Sequence, residues 1–288
     1  MSAPYVTYEY ANGLKLNAYN PMGWQGDLAP ILCIHGWLDN HGSFLPLLEH
    51  LPQLPWICID LIGHGKSSWR SSSSFYSFQD YICDLSLWIE IHCAHGVHLI
   101  GHSLGASIVS ILAGLYPDKV LSLVLLDGAG PLVSDLETMC EQFRRSISQF
   151  QFPRALRPYP SLAGVAAGRQ KKHNITLKSC QTLAQHGYIH NANENIYQWS
   201  FDPKLLGLAP FQMTGDEVIT ILKHILAPTL FIRPLEGYPY PEDLMQKRLH
   251  CFKNLTYVCT PGGHHAHLDQ PKQSAALISD FYHKINIL

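Results

Sequence analysis

The sequence predicts an α/β fold: a mostly parallel sheet flanked by helices and interrupted by a helical insertion. Three observations carry the prediction. Short, continuously apolar runs, the mark of strands buried on both faces, alternate with segments of helical period. One of them, residues 97–100, passes through Gly101-His102-Ser103-Leu104-Gly105 straight into a helix-like segment. The alternation stops at about residue 133 and resumes after about residue 222. Strand, helix and strand at these intervals call for right-handed crossovers.

In chain order, residues 5–19 hold two roughly alternating runs broken by Asn12-Gly13, a hairpin signal. Residues 30–34 are continuously apolar and end in His35-Gly36-Trp37-Leu38-Asp39-Asn40. Residues 43–51 suit a short helix, and 56–60 a second buried strand that runs into Asp60-Leu-Ile-Gly63-His-Gly65-Lys66-Ser67. The serine-rich stretch 67–74 is a loop by composition. Residues 78–93 place Tyr81, Ile82, Leu85, Trp88 and Ile89 at helical spacing. The strand at 97–100, a helix to Tyr116 and a strand at 120–127 follow.

The insertion holds helix-like pieces at 136–150, 175–186 and 216–224, a proline-rich break at 152–160 and no buried-strand pattern. Strand character returns at 228–233, then a helix at 241–250, a strand at 255–259, the loop Pro261-Gly-Gly-His264-His265-Ala-His267-Leu268 and a last helix at 271–284. The division expected is a core of residues 1–132 and 223–288 with a cap of residues 133–222.

With 288 residues, 47% of them hydrophobic and 15% charged, the chain can bury one large core and a modest second layer. A formal net charge of −2, with Lys and Arg scattered, gives no basic field, so no nucleic-acid partner is expected. The first ten residues lack the basic and apolar stretches of a signal peptide. No apolar run approaches the roughly 18 residues that a membrane span needs. The eight cysteines form no C-x-x-C pair, and Cys33, Cys58 and Cys259 sit in strand-like runs. Free buried thiols and a cytoplasmic location are the expectation.

Ser103 sits at the apex of the strand-to-helix turn. Gly101 and Gly105 stand two residues either side of it, where a Cβ would clash as the backbone reverses. A serine here can be a simple helix N-cap, but a buried strand before it and a helix after it are the setting a nucleophile needs. Its hydroxyl is a weak nucleophile until an imidazole takes the proton. Of 17 histidines, His264 is chosen because Gly262-Gly263 permit a tight turn at the same sheet edge. His265 and His267 are its near competitors; His267 is expected to pack or cap at the last helix, and His102 to point elsewhere. The N–H groups of Trp37 and Leu104 are the candidate oxyanion donors, and His35 is expected to tie the loop from a buried position.

Gly65-Lys66-Ser67 ends like a phosphate-binding loop, but G-x-x-x-x-G-K-S needs glycine at position 60, where Asp60 stands. No Cys/His spacing points to zinc, and no metal or other cofactor is expected.

These motifs resemble those of the α/β-hydrolase fold superfamily, in the order nucleophile, acid, histidine. His35-Gly36-Trp37 resembles its oxyanion loop and Asp60-x-x-Gly63-x-Gly65-x-Ser67 the loop after the next strand. Gly101 to Gly105 resembles its nucleophile elbow, and Gly263-His264-x-x-His267-Leu268 with Pro271 its histidine loop. Within the superfamily, His35-Gly-Trp-Leu-Asp-Asn40 and Tyr197-Gln-Trp-Ser-Phe-Asp-Pro203 are similar to the serine hydrolase-like proteins. The resemblance implies an eight-stranded, mostly parallel sheet with the cap inserted after the sixth strand. It also implies an acid after the strand at 228–233, but that position is Gly237, and Glu236 comes one residue early. Some members carry the acid after the preceding sheet strand, where Asp127 stands. Asp127 is preferred and Glu236 is the alternative.

The function implied is hydrolysis of a small-molecule carboxylic ester or thioester through an acyl-enzyme on Ser103, with Phe143, Phe150, Tyr197 and Trp199 of the cap lining the pocket. An aspartate nucleophile, as in dehalogenases and epoxide hydrolases on this fold, is ruled out by the serine at position 103. A non-catalytic ligand-binding protein on the same scaffold is the alternative from another class.

Overall fold

Successive residues of the buried strands point into two different cores, which is why those strands are apolar throughout. In the strand Ile31–Ile34, Leu32 and Ile34 face one core while Ile31 and Cys33 face the other. The computed structural model describes residues 4–133 and 137–288. The strands are β1 (Tyr5–Glu9), β2 (Lys15–Tyr19), β3 (Ile31–Ile34), β4 (Trp56–Ile59), β5 (Val97–His102), β6 (Val120–Leu126), β7 (Tyr188–Asn191), β8 (Ile196–Trp199), β9 (Thr229–Glu236) and β10 (Leu255–Gly263). Eight of them form one sheet in the order β1-β2-β4-β3-β5-β6-β9-β10. β1 and β2 are antiparallel, as the Asn12-Gly13 turn demands, and β4 through β10 in that order run parallel.

Helices α1 (Leu45–Leu48) and α10 (Pro271–Lys284) cover one face of the sheet. On the other lie α2 (Phe78–His92) and α3 (Leu104–Leu115), together with the later helices α7 (Gly215–Leu222) and α8 (Glu242–Leu249). Ser77 and Asp80 cap α2 reciprocally, each side chain taking the other's backbone N–H. α3 is buried from Gly105 to Gly114, as its uniformly apolar sequence requires.

The insertion between β6 and β9 contains α4 (Met139–Gln151), α5 (Leu162–Gln170), α6 (Leu177–His186), the β7–β8 hairpin and α7. The sequence pattern missed α5, whose run of Ala and Gly has no apolar stripe, and the hairpin, whose strands are exposed or half-buried. The expected start of the first insertion helix at residue 136 lies outside the described residues. α5 and α6 share a small core of Val165, Ala166, Cys180 and Leu183 that closes on Leu268 beside the histidine loop. α7 packs on α3 so closely that a Cβ on Gly114 would lie 2.4 Å from the Ile221 carbonyl oxygen. The short helix expected at 43–51 is divided into a 3-10 turn, His41–Ser43, and α1, with Pro46 in the first turn of α1. Among the cysteines, Cys83, Cys140 and Cys259 are exposed, which corrects the expectation of buried thiols at these three positions. Among the described residues no helix is long and apolar enough to cross a membrane.

Candidate active site

Because β3, β5, β6, β9 and β10 are parallel, the loops leaving their carboxyl ends share one edge of the sheet. The site is assembled there. At the end of β5 the chain reverses with Ser103 at φ +53° and ψ −113°, a conformation that costs a side-chain-bearing residue energy. The turn is possible because its flanks are glycine. A Cβ on Gly105 would stand 1.9 Å from the Ile34 carbonyl oxygen, and one on Gly101 would stand 2.5 Å from the Ala106 nitrogen.

His264, at the start of the loop after β10 and about one quarter exposed, lies with Nε2 2.9 Å from Ser103 Oγ and Nδ1 2.5 Å from Asp127 Oδ2. Asp127 follows β6, is buried, and has φ +50°. Its Oδ2 also accepts the Tyr238 N–H at 2.8 Å. Of the two candidate acids, Asp127 meets the histidine. Glu236 is exposed at the end of β9 and does not.

Trp37, Ser103 and Leu104 line one cavity. Leu104 heads α3, so its N–H has no partner within the helix. Neither it nor the Trp37 N–H makes a hydrogen bond among the described residues. His35 is fully buried and ties two loops: its Nδ1 pairs with the Gly36 carbonyl at 2.7 Å, and its Nε2 accepts the Leu61 N–H at 3.0 Å. Burial pushes its pKa down, which keeps the ring neutral for both roles.

The other histidines near the site are committed elsewhere. His102 sends Nε2–H to the His264 carbonyl at 2.9 Å, and burial lowers its pKa to about 4. His267 Nε2 meets Ser43 Oγ at 2.9 Å, and His265 Nε2 meets Asp39 Oδ2 at 3.2 Å. Asp39, His102 and His265 are the one group among the described residues whose donor atoms converge as metal ligands would, all within 4.8 Å. Arg169 already pairs with the Asp39 carboxylate and supplies the positive charge there. Burial alone would raise the Asp39 pKa, but Arg169, His265 and His102 together hold it well below the usual carboxylate range.

The cavity has a volume of about 420 Å³. Phe75, Phe150, Phe211, Leu132 and Met213 make much of its wall. Phe150 stacks on Phe75 with ring centroids 4.0 Å apart. Phe143, expected in the pocket, does not line it: it is exposed, with its ring centroid 4.9 Å from that of Phe211. Tyr197 and Trp199 are elsewhere: they belong to the hairpin, where Tyr197 pairs with His190 and Trp199 with Arg169. The sequence placed them at the pocket because they are aromatic and in the insertion; α4 lies against Phe75, whereas the hairpin packs against α5. Tyr76, Tyr238 and Tyr240, which no motif marked, do line the cavity.

Residues 29–162 match the family model described as alpha/beta hydrolase fold. A serine hydrolase-like protein of Danio rerio is 27% identical over 266 residues, covering 88% of this chain and 81% of that protein. Serine hydrolase-like protein 2 of Homo sapiens is 25% identical over 284 residues, covering 88% and 86%. Among solved structures, a hypothetical protein from Pseudomonas aeruginosa PAO1 aligns with a TM-score of 0.86 at 25% identity, over 97% of this chain and 99% of that one. The thioesterase domain from the curacin biosynthetic pathway aligns with a TM-score of 0.80 at 22% identity, over 96% and 98%. With its elbow, histidine loop and eight-stranded sheet in the matching order, the chain has the α/β-hydrolase fold and is similar, among proteins of that fold, to the serine hydrolase-like proteins.

Proposed function

We propose that the protein is a serine hydrolase that cleaves a carboxylic ester or thioester with a neutral, apolar acyl group, through an acyl-enzyme on Ser103. The observation that carries this is the hydrogen-bonded chain from Ser103 Oγ through His264 to Asp127, on the wall of an apolar cavity. His264 Nε2 takes the hydroxyl proton as Ser103 Oγ bonds to the carbonyl carbon, and Asp127 orients and stabilises the imidazolium that forms. The N–H groups of Trp37 and Leu104 hold the developing oxyanion, each worth about a hundredfold or more in rate. Collapse breaks the bond to the leaving alcohol or thiol, which takes the proton back from His264. Water then attacks the acyl-enzyme by the same route in reverse, releasing the acid and restoring Ser103.

Charge at the cavity supports the neutral acyl group. Among its described lining residues Lys204 alone is charged, and its ammonium is spent on the Ser71 and Ser74 carbonyls at 2.6 and 2.9 Å and on Asp202 at 3.6 Å. A carboxylate or phosphate entering here would lose its hydration without a free partner. The segment 133–222 acts as the cap that shapes the cavity, through Phe150, Leu205, Leu208 and Phe211. The non-catalytic alternative rests on a displaced acid, and Asp127 at 2.5 Å from His264 favours the catalytic reading over it. Turnover of p-nitrophenyl esters of graded acyl length, lost in Ser103→Ala, is expected. A folded protein that hydrolyses none of them contradicts the proposal.

A further inference from the structure

The turn that carries the Trp37 N–H is strained. Asp39 N–H donates to the Gly36 carbonyl at 3.1 Å, closing a four-residue turn, and its third residue, Leu38, sits at φ +61°. That is the place where such a turn normally requires glycine or asparagine. A branched, half-buried leucine holds a left-handed conformation only where its surroundings over-determine it.

The surroundings that do so come from the cap. Arg169, near the end of α5, is 9% exposed and reaches across to the turn. Its Nη1–H donates to the Leu38 carbonyl at 2.8 Å, and its Nη2–H to Asp39 Oδ1. One guanidinium thus grips the carbonyl of the strained residue and the side chain of the residue that follows it, and a fork of fixed geometry suits that task. The guanidinium is itself seated over the Trp199 ring, 5.4 Å from its centroid. The other carboxylate oxygen of Asp39 takes His265, whose neighbour His264 also gives its carbonyl to His102. The oxyanion turn, the histidine loop and the cap therefore meet at one buried carboxylate.

We propose that Arg169 is a positioning residue: from the cap it locks Leu38 in its left-handed conformation and so keeps the Trp37 N–H directed at the oxyanion. The inference rests on the hydrolase reading given above. Its consequence is that the oxyanion site is complete only when α5 is docked.

The test uses the full chain and compares wild type, Arg169→Lys, Arg169→Met and Arg169→Met/Leu38→Gly. It reads kcat and KM on a p-nitrophenyl ester and the rate of Ser103 labelling by a fluorophosphonate. A misdirected oxyanion donor keeps part of its effect, so kcat should fall by about tenfold to a hundredfold, short of the hundredfold or more of full loss, and KM should stay within about threefold. Arg169→Met should show that pattern, and Arg169→Lys, which keeps one donor, a smaller loss. In the double variant glycine adopts the left-handed conformation freely, so most of the lost kcat and labelling rate should return, which repair of general stability would not produce. A raised KM at unchanged kcat, equal labelling of wild type and Arg169→Met, or a double variant as slow as Arg169→Met overturns the proposal. Should Arg169→Met fail to fold, Leu38→Gly paired with Arg169→Lys makes the same comparison. Absence of any wild-type labelling would instead overturn the hydrolase reading itself.

Discussion

The carboxylate of Asp127 occupies the space that a side chain at Gly237 would fill: a Cβ there would stand 2.5 Å from Asp127 Oδ2. In the proposed mechanism the two positions are alternatives for one role, a carboxylate behind His264, and in this chain the empty one makes room for the filled one. Asp127→Asn should therefore lower kcat by about 10⁴, as loss of the orienting acid does in such systems, while Glu236→Gln leaves it within about twofold. Gly237→Ala should lower kcat at least tenfold by displacing the carboxylate from His264. Steady-state kinetics on all three variants checks the assignment, and full activity in Asp127→Asn refutes it.

Gly105→Ala should prevent folding or cut stability severely, because its Cβ would meet backbone, the Ile34 carbonyl, at 1.9 Å and not a side chain that can rotate away. Thermal denaturation of the variant measures this. A melting temperature within a few degrees of wild type would show that the elbow can relax.

Ala209 lines the cavity and is half-buried. Ala209→Trp should fill part of the space, lowering kcat/KM for long acyl esters at least tenfold relative to acetate esters. An unchanged chain-length profile would place the acyl group somewhere other than this cavity.

Stability should fall as pH drops from about 6.5 toward 4. Burial lowers the pKa of His64 to about 3 and of His98, His102 and His186 to about 4, against ~6.5 in the unfolded chain. Between these values the unfolded chain binds protons that the folded one refuses, so stability present above pH 6.5 is lost on acidification. For the fully buried His64 and His102 each such proton adds about 1.4 kcal/mol per pH unit to the slope. Urea denaturation across this range checks the sign, and His98→Gln should make the dependence shallower. A stability that is flat or rises toward pH 4 contradicts it.

Much of this molecule is legible in its sequence because burial on both faces leaves an unmistakable apolar run, and because the turn at Ser103 tolerates only glycine at its flanks. Glycine at position 237 favours Asp127 over Glu236, but only where β6 and β9 end relative to β10 in space decides which of the two meets His264. The network of Arg169 and Asp39 joins residues 130 apart in the chain, and the φ +61° of Leu38 hides behind an ordinary leucine. The aromatic residues of the cap misled for a related reason: Tyr197 and Phe150 look alike in sequence, and only the packing of α4 against Phe75, and of the hairpin against α5, separates them.

The nucleophilic role of Ser103 is tested most directly by intact-mass measurement after reaction with a fluorophosphonate. Wild type should gain one phosphonyl adduct, located by peptide mapping on Ser103, and Ser103→Ala should gain none. Folded wild type that stays unlabelled, or a Ser103→Ala variant that labels as fast, would contradict catalysis through this serine.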